Sequence, residues 1–219
     1  SIAVESRLHL IAELKQASPS KGVINSNFNP PVLAQTYLSA GATCLSILTE
    51  QHYFKGHVDY IDSVRGVCSA PILRKDFIID AIQVLESKVI GADAILLILA
   101  ILEPEQVQQL LTLANDHGLD VIVEVHTEME LRQALALSGQ FMIGINNRDL
   151  TTFEVDQATA LNLMQHFKRE LIGKRVIAES GYTDIAELDQ LYRSGFSAVL
   201  IGEGLVLSSN LVTYFNSGL

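Results

Sequence analysis

The feature that most constrains this chain is an alternation: short runs of β-branched and aliphatic residues recur along its length, each followed by a polar stretch with helical spacing. That pattern is the signature of parallel βα units, in which a crossover helix carries the chain back to begin the next strand. Eight strand candidates are found, at residues 10–15, 44–50, 71–75, 94–99, 121–125, 142–146, 176–179 and 198–201. Most are apolar on both faces, as strands enclosed between a core and a helix layer must be. Eight units in 219 residues give about 27 residues each, which matches the lower end of the size range for a closed barrel. The expected fold is therefore α/β, a single-domain (β/α)8 TIM barrel over residues 1–219. An open doubly wound sheet uses the same alternation, but it would carry a Gly-x-Gly-x-x-Gly turn after its first strand. Here the first strand runs into Ser18-Pro19-Ser20-Lys21-Gly22 instead.

The segments between the strands carry helix punctuation. Asn29-Pro30-Pro31, Glu103-Pro104-Glu105, Thr127-Glu128-Met129-Glu130 and Thr183-Asp184 are candidate starts. Gly41, Gly91, Gly118, Gly139 and Gly195 each stand where a helix should stop. No linker or low-complexity run divides the chain.

Composition excludes several function classes. Net charge is −10, from 15 Lys plus Arg against 25 Asp plus Glu, so the overall field repels polyanions and no nucleic-acid partner is expected. The most apolar segment, residues 94–102, is far shorter than the roughly 20 residues that a spanning helix needs, and no membrane role is expected. Ser1-Ile2-Ala3-Val4-Glu5 lacks the basic start and apolar run of a secretory signal. The two cysteines, Cys44 and Cys68, have neither disulfide-framework nor zinc spacing, which suits a reducing cytoplasm. No metal cage is suggested by the spacing of His, Asp and Glu, so His117 and His126 are assigned to surface or packing roles and Cys44 to the core. The lack of a Gly-x-Ser-x-Gly elbow removes the case for a serine hydrolase.

The informative residues are the polar ones that interrupt the strands. Glu13 and Lys15, Glu50, Lys75, Glu124, Asn146 and Glu179 all fall at C-terminal strand ends, where a barrel assembles its active site. Any one of them could close a salt bridge at the rim. Together they are harder to dismiss, because burying several ionisable groups costs stability unless they are paired. Glu13 and Lys15, two apart in a strand, share a face. Lys75 sits in Leu73-Arg74-Lys75-Asp76-Phe77, where burial lowers a lysine pKa and a nearby carboxylate raises it, so acid catalysis and charge pairing both remain open, with Arg74 turned outward. Glu124 lies in the apolar run Val121-Ile122-Val123-Glu124-Val125, which favours its protonated form. Two glycine turns, Glu179-Ser180-Gly181 and Gly202-Glu203-Gly204, follow the last two strands, where barrels bind phosphate; ordinary tight turns are the alternative. Neither is a P-loop or a dinucleotide fingerprint.

Ile11-Ala12-Glu13-Leu14-Lys15, Ser18-Pro19-Ser20, Leu73-Arg74-Lys75-Asp76-Phe77, Gly144-Ile145-Asn146-Asn147-Arg148-Asp149-Leu150 and Ala178-Glu179-Ser180-Gly181 together closely resemble the motif set of indole-3-glycerol phosphate synthase. The resemblance runs from about Leu10 to the C-terminus in the family's order. It implies a cytoplasmic tryptophan-biosynthesis enzyme that converts 1-(2-carboxyphenylamino)-1-deoxyribulose 5-phosphate into indole-3-glycerol phosphate, with loss of carbon dioxide and water and without cofactor or metal. By the same resemblance Lys75 is the general acid, and Lys15 holds anionic groups of the substrate and donates a later proton. Glu124 and Glu13 are acid/base partners, while Asn146 and Glu179 position hydroxyls and lysines. Arg148 lies on the carboxylate side. Ser180, Gly181, Gly202 and Glu203 (through its backbone N–H) bind phosphate with Ser18 close by, and Phe77, Leu96 and Leu150 wall the anthranilate ring. A monomer is expected, open to association with other tryptophan-pathway enzymes. There are two departures. Family members usually carry a helical segment before the first strand that is largely absent here, and Gly204 stands where Ser or Ala is more common. Two other functions stay open: phosphoribosylanthranilate isomerase, whose usual cysteine base has no counterpart at a strand's C-terminal end here, and a non-catalytic phosphate-binding barrel from a fused enzyme.

Overall fold

The computed structural model describes residues 8–19, 21–150, 152–207, 211, 214 and 215; the N-terminal residues on which the signal-peptide and missing-helix readings rest lie outside them. The strands are β1 (His9–Leu14), β2 (Ala17–Ser18), β3 (Gly22–Val23), β4 (Cys44–Leu48), β5 (Ile72–Lys75), β6 (Ala94–Ile98), β7 (Asp120–Val125), β8 (Met142–Asn146), β9 (Val176–Glu179) and β10 (Ala198–Ile201). The helices are α1 (Pro30–Ser39), α2 (Asp59–Arg65), α3 (Ala81–Val89), α4 (Pro104–Asp116), α5 (Glu128–Ala136), α6 (Ala158–His166), α7 (Ile185–Ser194) and α8 (Glu203–Leu207). Eight of the strands close into a barrel in the order β1-β10-β9-β8-β7-β6-β5-β4, every pair parallel. All eight expected strands form. Most begin or end within a residue of the expected bounds; the largest difference is at β4, which stops at Leu48 and leaves Glu50 in the following loop.

Strand alternation divides the core in two. Leu10, Ala12 and Leu14 of β1, with Leu45, Ile47, Ile72, Ile95 and Val123, face outward and pack against the helices. Ile11, Cys44, Leu73, Leu96, Ile122, Ile177, Ala198 and Leu200 fill the lumen as a separate cluster. Both faces must therefore be apolar along most of each strand, which is why the strands appear in the sequence as continuous runs. Register keeps the lumen side consistent around the barrel: Glu13 pairs with Ser46, Leu48 with Lys75, Ile98 with Glu124, and Asn146 with Glu179. The polar residues thus form the last inward layer, above an apolar floor.

The helix starts follow the side-chain signals. Asn29 accepts from Val32 N, Thr127 forms a capping box with Glu130, and Asp184 forms one with Glu187. Gly195 ends α7 in the left-handed conformation at φ 93, which a side chain would strain. One feature has no periodic signal in the sequence: β2 and β3 pair antiparallel into a small ladder after β1.

Candidate active site

The C-terminal end of the barrel opens into a cavity of about 820 Å³, within the range of small-molecule sites. Glu13, Lys15, Lys75, Glu124, Asn146 and Glu179 all line it, together with Phe77, Leu96, Arg148, Leu150, Ser180, Gly181, Gly202 and Glu203. Of the catalytic and substrate-binding candidates named from the sequence, Ser18 alone is not part of the lining; it is buried in the β2–β3 ladder opposite Gly22.

At the centre, the Lys75 ammonium lies 3.4 Å from Glu124 Oε2 and 3.4 Å from Glu179 Oε2. Burial alone would lower the Lys75 pKa, but the carboxylates of Glu124, Glu179 and Glu13 outweigh it and hold the amine charged. Of the two possibilities left by the sequence, charge pairing is thus what sets the resting state. Asn146 donates to Glu124 Oε1 at 3.1 Å and accepts from Arg148 N at 2.9 Å, linking the charge cluster to the β8–α6 loop. Glu124 is therefore held by an ammonium and an amide, a more polar setting than its apolar run suggests. The Glu179 carboxyl is driven toward protonation. Burial raises it most, the Lys75 ammonium opposes, and the Glu124 charge adds to the rise, so that it reaches about 8. Among the described residues its Oε1 is buried without a hydrogen-bond partner, so no donor there offsets the cost of charging it.

Nearer the rim, Lys15 donates to Glu13 Oε1 at 2.6 Å. Burial would raise the Glu13 carboxyl, but Lys15, Lys75 and Arg148 together hold it below the usual range. The two pairs differ accordingly: the Glu13 carboxyl is held below its ordinary range and the Glu179 carboxyl above it.

The backbone explains why these carboxylates fit. Gly144 has no side chain, and the Glu179 carboxyl occupies the space that a Cβ there would need. Gly202 does the same for Glu13, whose Oε1 would lie 2.7 Å from an added Cβ. Gly204 is closed by the Tyr182 carbonyl and by Ile201 Cγ2, 3.0 Å from an added Cβ, so the local backbone approach itself demands glycine.

Arg74 is turned out of the lumen, as alternation requires, yet it is only 3% exposed. Its guanidinium donates to Thr49 Oγ1, Asp76 Oδ2, Ser87 Oγ and the Gln83 carbonyl, bracing the end of β5 against α3. Glu50 accepts from the backbone N–H groups of His52, Tyr53 and Phe54, which sets Phe54 beside Phe77 with ring centroids 6.5 Å apart. Lys21 reaches from the β2–β3 ladder to Glu203 Oε2 at 2.7 Å across the mouth. Phe54 and Lys21 line the cavity and had no assigned role in the sequence. Contacts between segments so far apart leave no periodic trace; the only cue was the company of Phe54 with a strand-end glutamate.

Cys44 opens β4 at the opposite end of the lumen and Cys68 lies between α2 and β5, so among the described residues no cysteine lines the cavity. Nor do the described residues contain a His/Cys/Asp/Glu group able to hold a metal, or a helix long and apolar enough to cross a membrane.

Fold and site together define a (β/α)8 barrel with buried lysine–carboxylate pairs gathered at the end where barrel enzymes place their active sites. Residues 2–215 match the indole-3-glycerol phosphate synthase family. The indole-3-glycerol phosphate synthase of Chlorobium luteolum is 48% identical over 207 residues, covering 94% of this chain and 78% of that protein. Those of Chlorobium phaeovibrioides (47% over 204 residues, 93% and 78%) and Acetivibrio thermocellus (47% over 196 residues, 90% and 74%) are similar. The chain belongs to the indole-3-glycerol phosphate synthase family, whose members are carboxy-lyases.

Proposed function

We propose that this chain closes the indole ring of 1-(2-carboxyphenylamino)-1-deoxyribulose 5-phosphate, and that its buried charge cluster divides the proton transfers. The observation that carries this reading is the Lys75 ammonium suspended between Glu124 and Glu179 in a cavity that also holds the Lys15–Glu13 pair.

In the first step the ring carbon bearing the carboxylate attacks the ketose carbonyl. Negative charge develops on the carbonyl oxygen, and a positioned ammonium in a site of low dielectric neutralises it best. Lys75 is held charged and ready for that task, and donates the proton. Carbon dioxide then leaves, its bonding electrons restoring the ring. In the second step the new hydroxyl departs as water and a neighbouring proton is removed. Lys15 supplies the acid, with Glu124 and Glu13 as its acid/base partners. Glu179, the carboxyl that keeps a proton near neutral pH, positions Lys75 and can return a proton to it. Arg148 faces the substrate carboxylate. Phe77, Leu96 and Leu150 cover the anthranilate ring, and the turns at Ser180-Gly181 and Gly202-Glu203 take the phosphate through backbone N–H groups. These residues need no cofactor for either step. The two unpaired cysteines suit a reducing cytoplasm, and the proposed working form is a monomer acting on this small phosphorylated substrate.

The test is to supply this substrate and, separately, phosphoribosylanthranilate, following indole fluorescence for the first and consumption of the substrate itself for the second. Indole-3-glycerol phosphate from the first alone is the expected result. No product at saturating substrate contradicts the reading, and turnover of the second alone points to the isomerase.

A further inference from the structure

The adjacent asparagines at the end of β8 divide two tasks. Asn146 faces the lumen and touches Glu124. Asn147 points the other way, is fully buried, and uses every polar group it has. Its N–H donates to the Glu179 carbonyl, and its carbonyl accepts from Asp156 N, both at 3.0 Å. Its side-chain oxygen accepts from Ala160 N at 3.0 Å, capping the start of α6. Its side-chain nitrogen donates to the Ser180 carbonyl at 3.0 Å and to the Tyr182 hydroxyl at 2.9 Å.

The Ser180 contact stands out because of the backbone there. Ser180 has φ 68, a left-handed conformation that costs energy in any residue with a Cβ and persists only where the surroundings impose it. Gly181 follows at φ 89. Successive residues in such conformations turn their N–H groups toward one side, forming an anion-binding concavity. The turn lines the cavity, and two side chains hold its carbonyls: Asn147, which lies behind the lining, on Ser180, and Gln157, itself part of the lining, on Gly181. Both belong to the same β8–α6 connection that carries Arg148 and Leu150.

We propose that Asn147 is a positioning residue for phosphate, imposing the left-handed turn at Ser180 so that the amides of residues 180 and 181 converge on the substrate's phosphate without Asn147 touching it. The assignment rests on the phosphate reading of this turn. It also couples the two ends of the substrate, since one loop supplies both the clamp on the phosphate turn and the groups facing the aromatic end.

The probe is inorganic phosphate, with binding to the full chain measured by calorimetry and as competitive inhibition. Asn147→Ala removes three side-chain hydrogen bonds and should weaken phosphate by about tenfold, the worth of the one that holds the Ser180 carbonyl. KM for the substrate should rise by a similar factor while kcat stays within about threefold, because contact to a non-reacting phosphate is made in ground and transition states alike. Asn115→Ala is the matched control. Asn115 also ties a loop through both side-chain atoms, to Gln140, but at the opposite end of the barrel. It should lower the melting temperature and leave phosphate affinity unchanged. If Asn147→Ala does not fold, Asn147→Asp keeps the acceptor for Ala160 and the side-chain volume, removes the amide donors, and carries the same expectation. Phosphate binding by the variant equal to wild type overturns the role of Asn147 alone. Failure of the wild-type chain to bind phosphate overturns the phosphate reading, and this inference with it.

Discussion

Replacing Gly144 by alanine tests whether the Glu179 carboxyl must sit where it does. Gly144 pairs with Glu124 on one side and Ile177 on the other, in the lumen layer below the charge cluster. A methyl group there would press directly on Glu179 Oε1, with Ile122 Cγ2 at 2.9 Å and Glu179 Cδ at 3.4 Å. Ordinary carbon contacts are about 3.5–4.0 Å, so the carboxyl must retreat by about 1 Å. It stands 3.4 Å from the Lys75 ammonium, and that displacement re-aims the amine toward Glu124. Misplacement of a catalytic group by about 1 Å costs on the order of 10²-fold in rate. Overpacking a closed lumen costs about 1–3 kcal/mol, which lowers the melting temperature by about 2–4 °C per kcal/mol in a domain of this size. The assay is steady-state indole fluorescence on protein shown by circular dichroism to be folded, beside a thermal melt. A kcat within threefold of wild type, in a folded Gly144→Ala protein, would refute the argument that this carboxyl is positioned by an empty Cβ site.

Two other outcomes follow from the same geometry. Glu179 has a folded pKa of about 8 against an ordinary 4.5, so the folded state holds an extra proton across that window. The stability it contributes is complete below about pH 4.5 and is lost as pH rises to about 8; Glu179→Gln should abolish this slope, on the order of a few kcal/mol, in denaturant titrations from pH 5 to 8. Glu13, with its lowered pKa, acts oppositely and only at more acidic pH, so it does not mask the effect; parallel curves for variant and wild type would contradict the assignment. Gly204→Ser introduces the residue more usual in the family, but its Cβ would meet the Tyr182 carbonyl and Ile201, so it should lower stability by about 1–3 kcal/mol in a thermal melt; an unchanged melting temperature would show that the turn yields freely.

Much of the barrel was legible because parallel strands enclosed on both faces leave continuous apolar runs, and because Asn29, Thr127 and Asp184 cap their helices through local hydrogen bonds. The polar strand ends were legible for the same reason: a charge inside an apolar run is conspicuous. What remained hidden depends on contacts between distant segments. An arginine beside Lys75 looks like a surface residue until Thr49, Asp76 and Ser87 are seen to enclose it. The β2–β3 strands are two residues each, too short to show a period. Glu124 and Glu179 are both glutamates at strand ends, and local sequence favours Glu124 as the protonated one. Their partners differ in a way local sequence does not show: Glu124 receives Asn146 as well as Lys75, while one oxygen of Glu179 faces the empty position of Gly144. The motif Asn146-Asn147 showed two identical residues, and only the pleat separates their tasks.

The most direct test of the account is the turnover of Lys75→Met with the carboxyphenylamino deoxyribulose phosphate. Methionine keeps the length and apolar stem while removing the charge, and Glu124 and Glu179 can then share a proton. The folded variant should lose about 10²–10⁴-fold in kcat, the usual contribution of a positioned acid. Turnover close to wild type would mean that the ammonium between Glu124 and Glu179 is not the group that protonates the carbonyl.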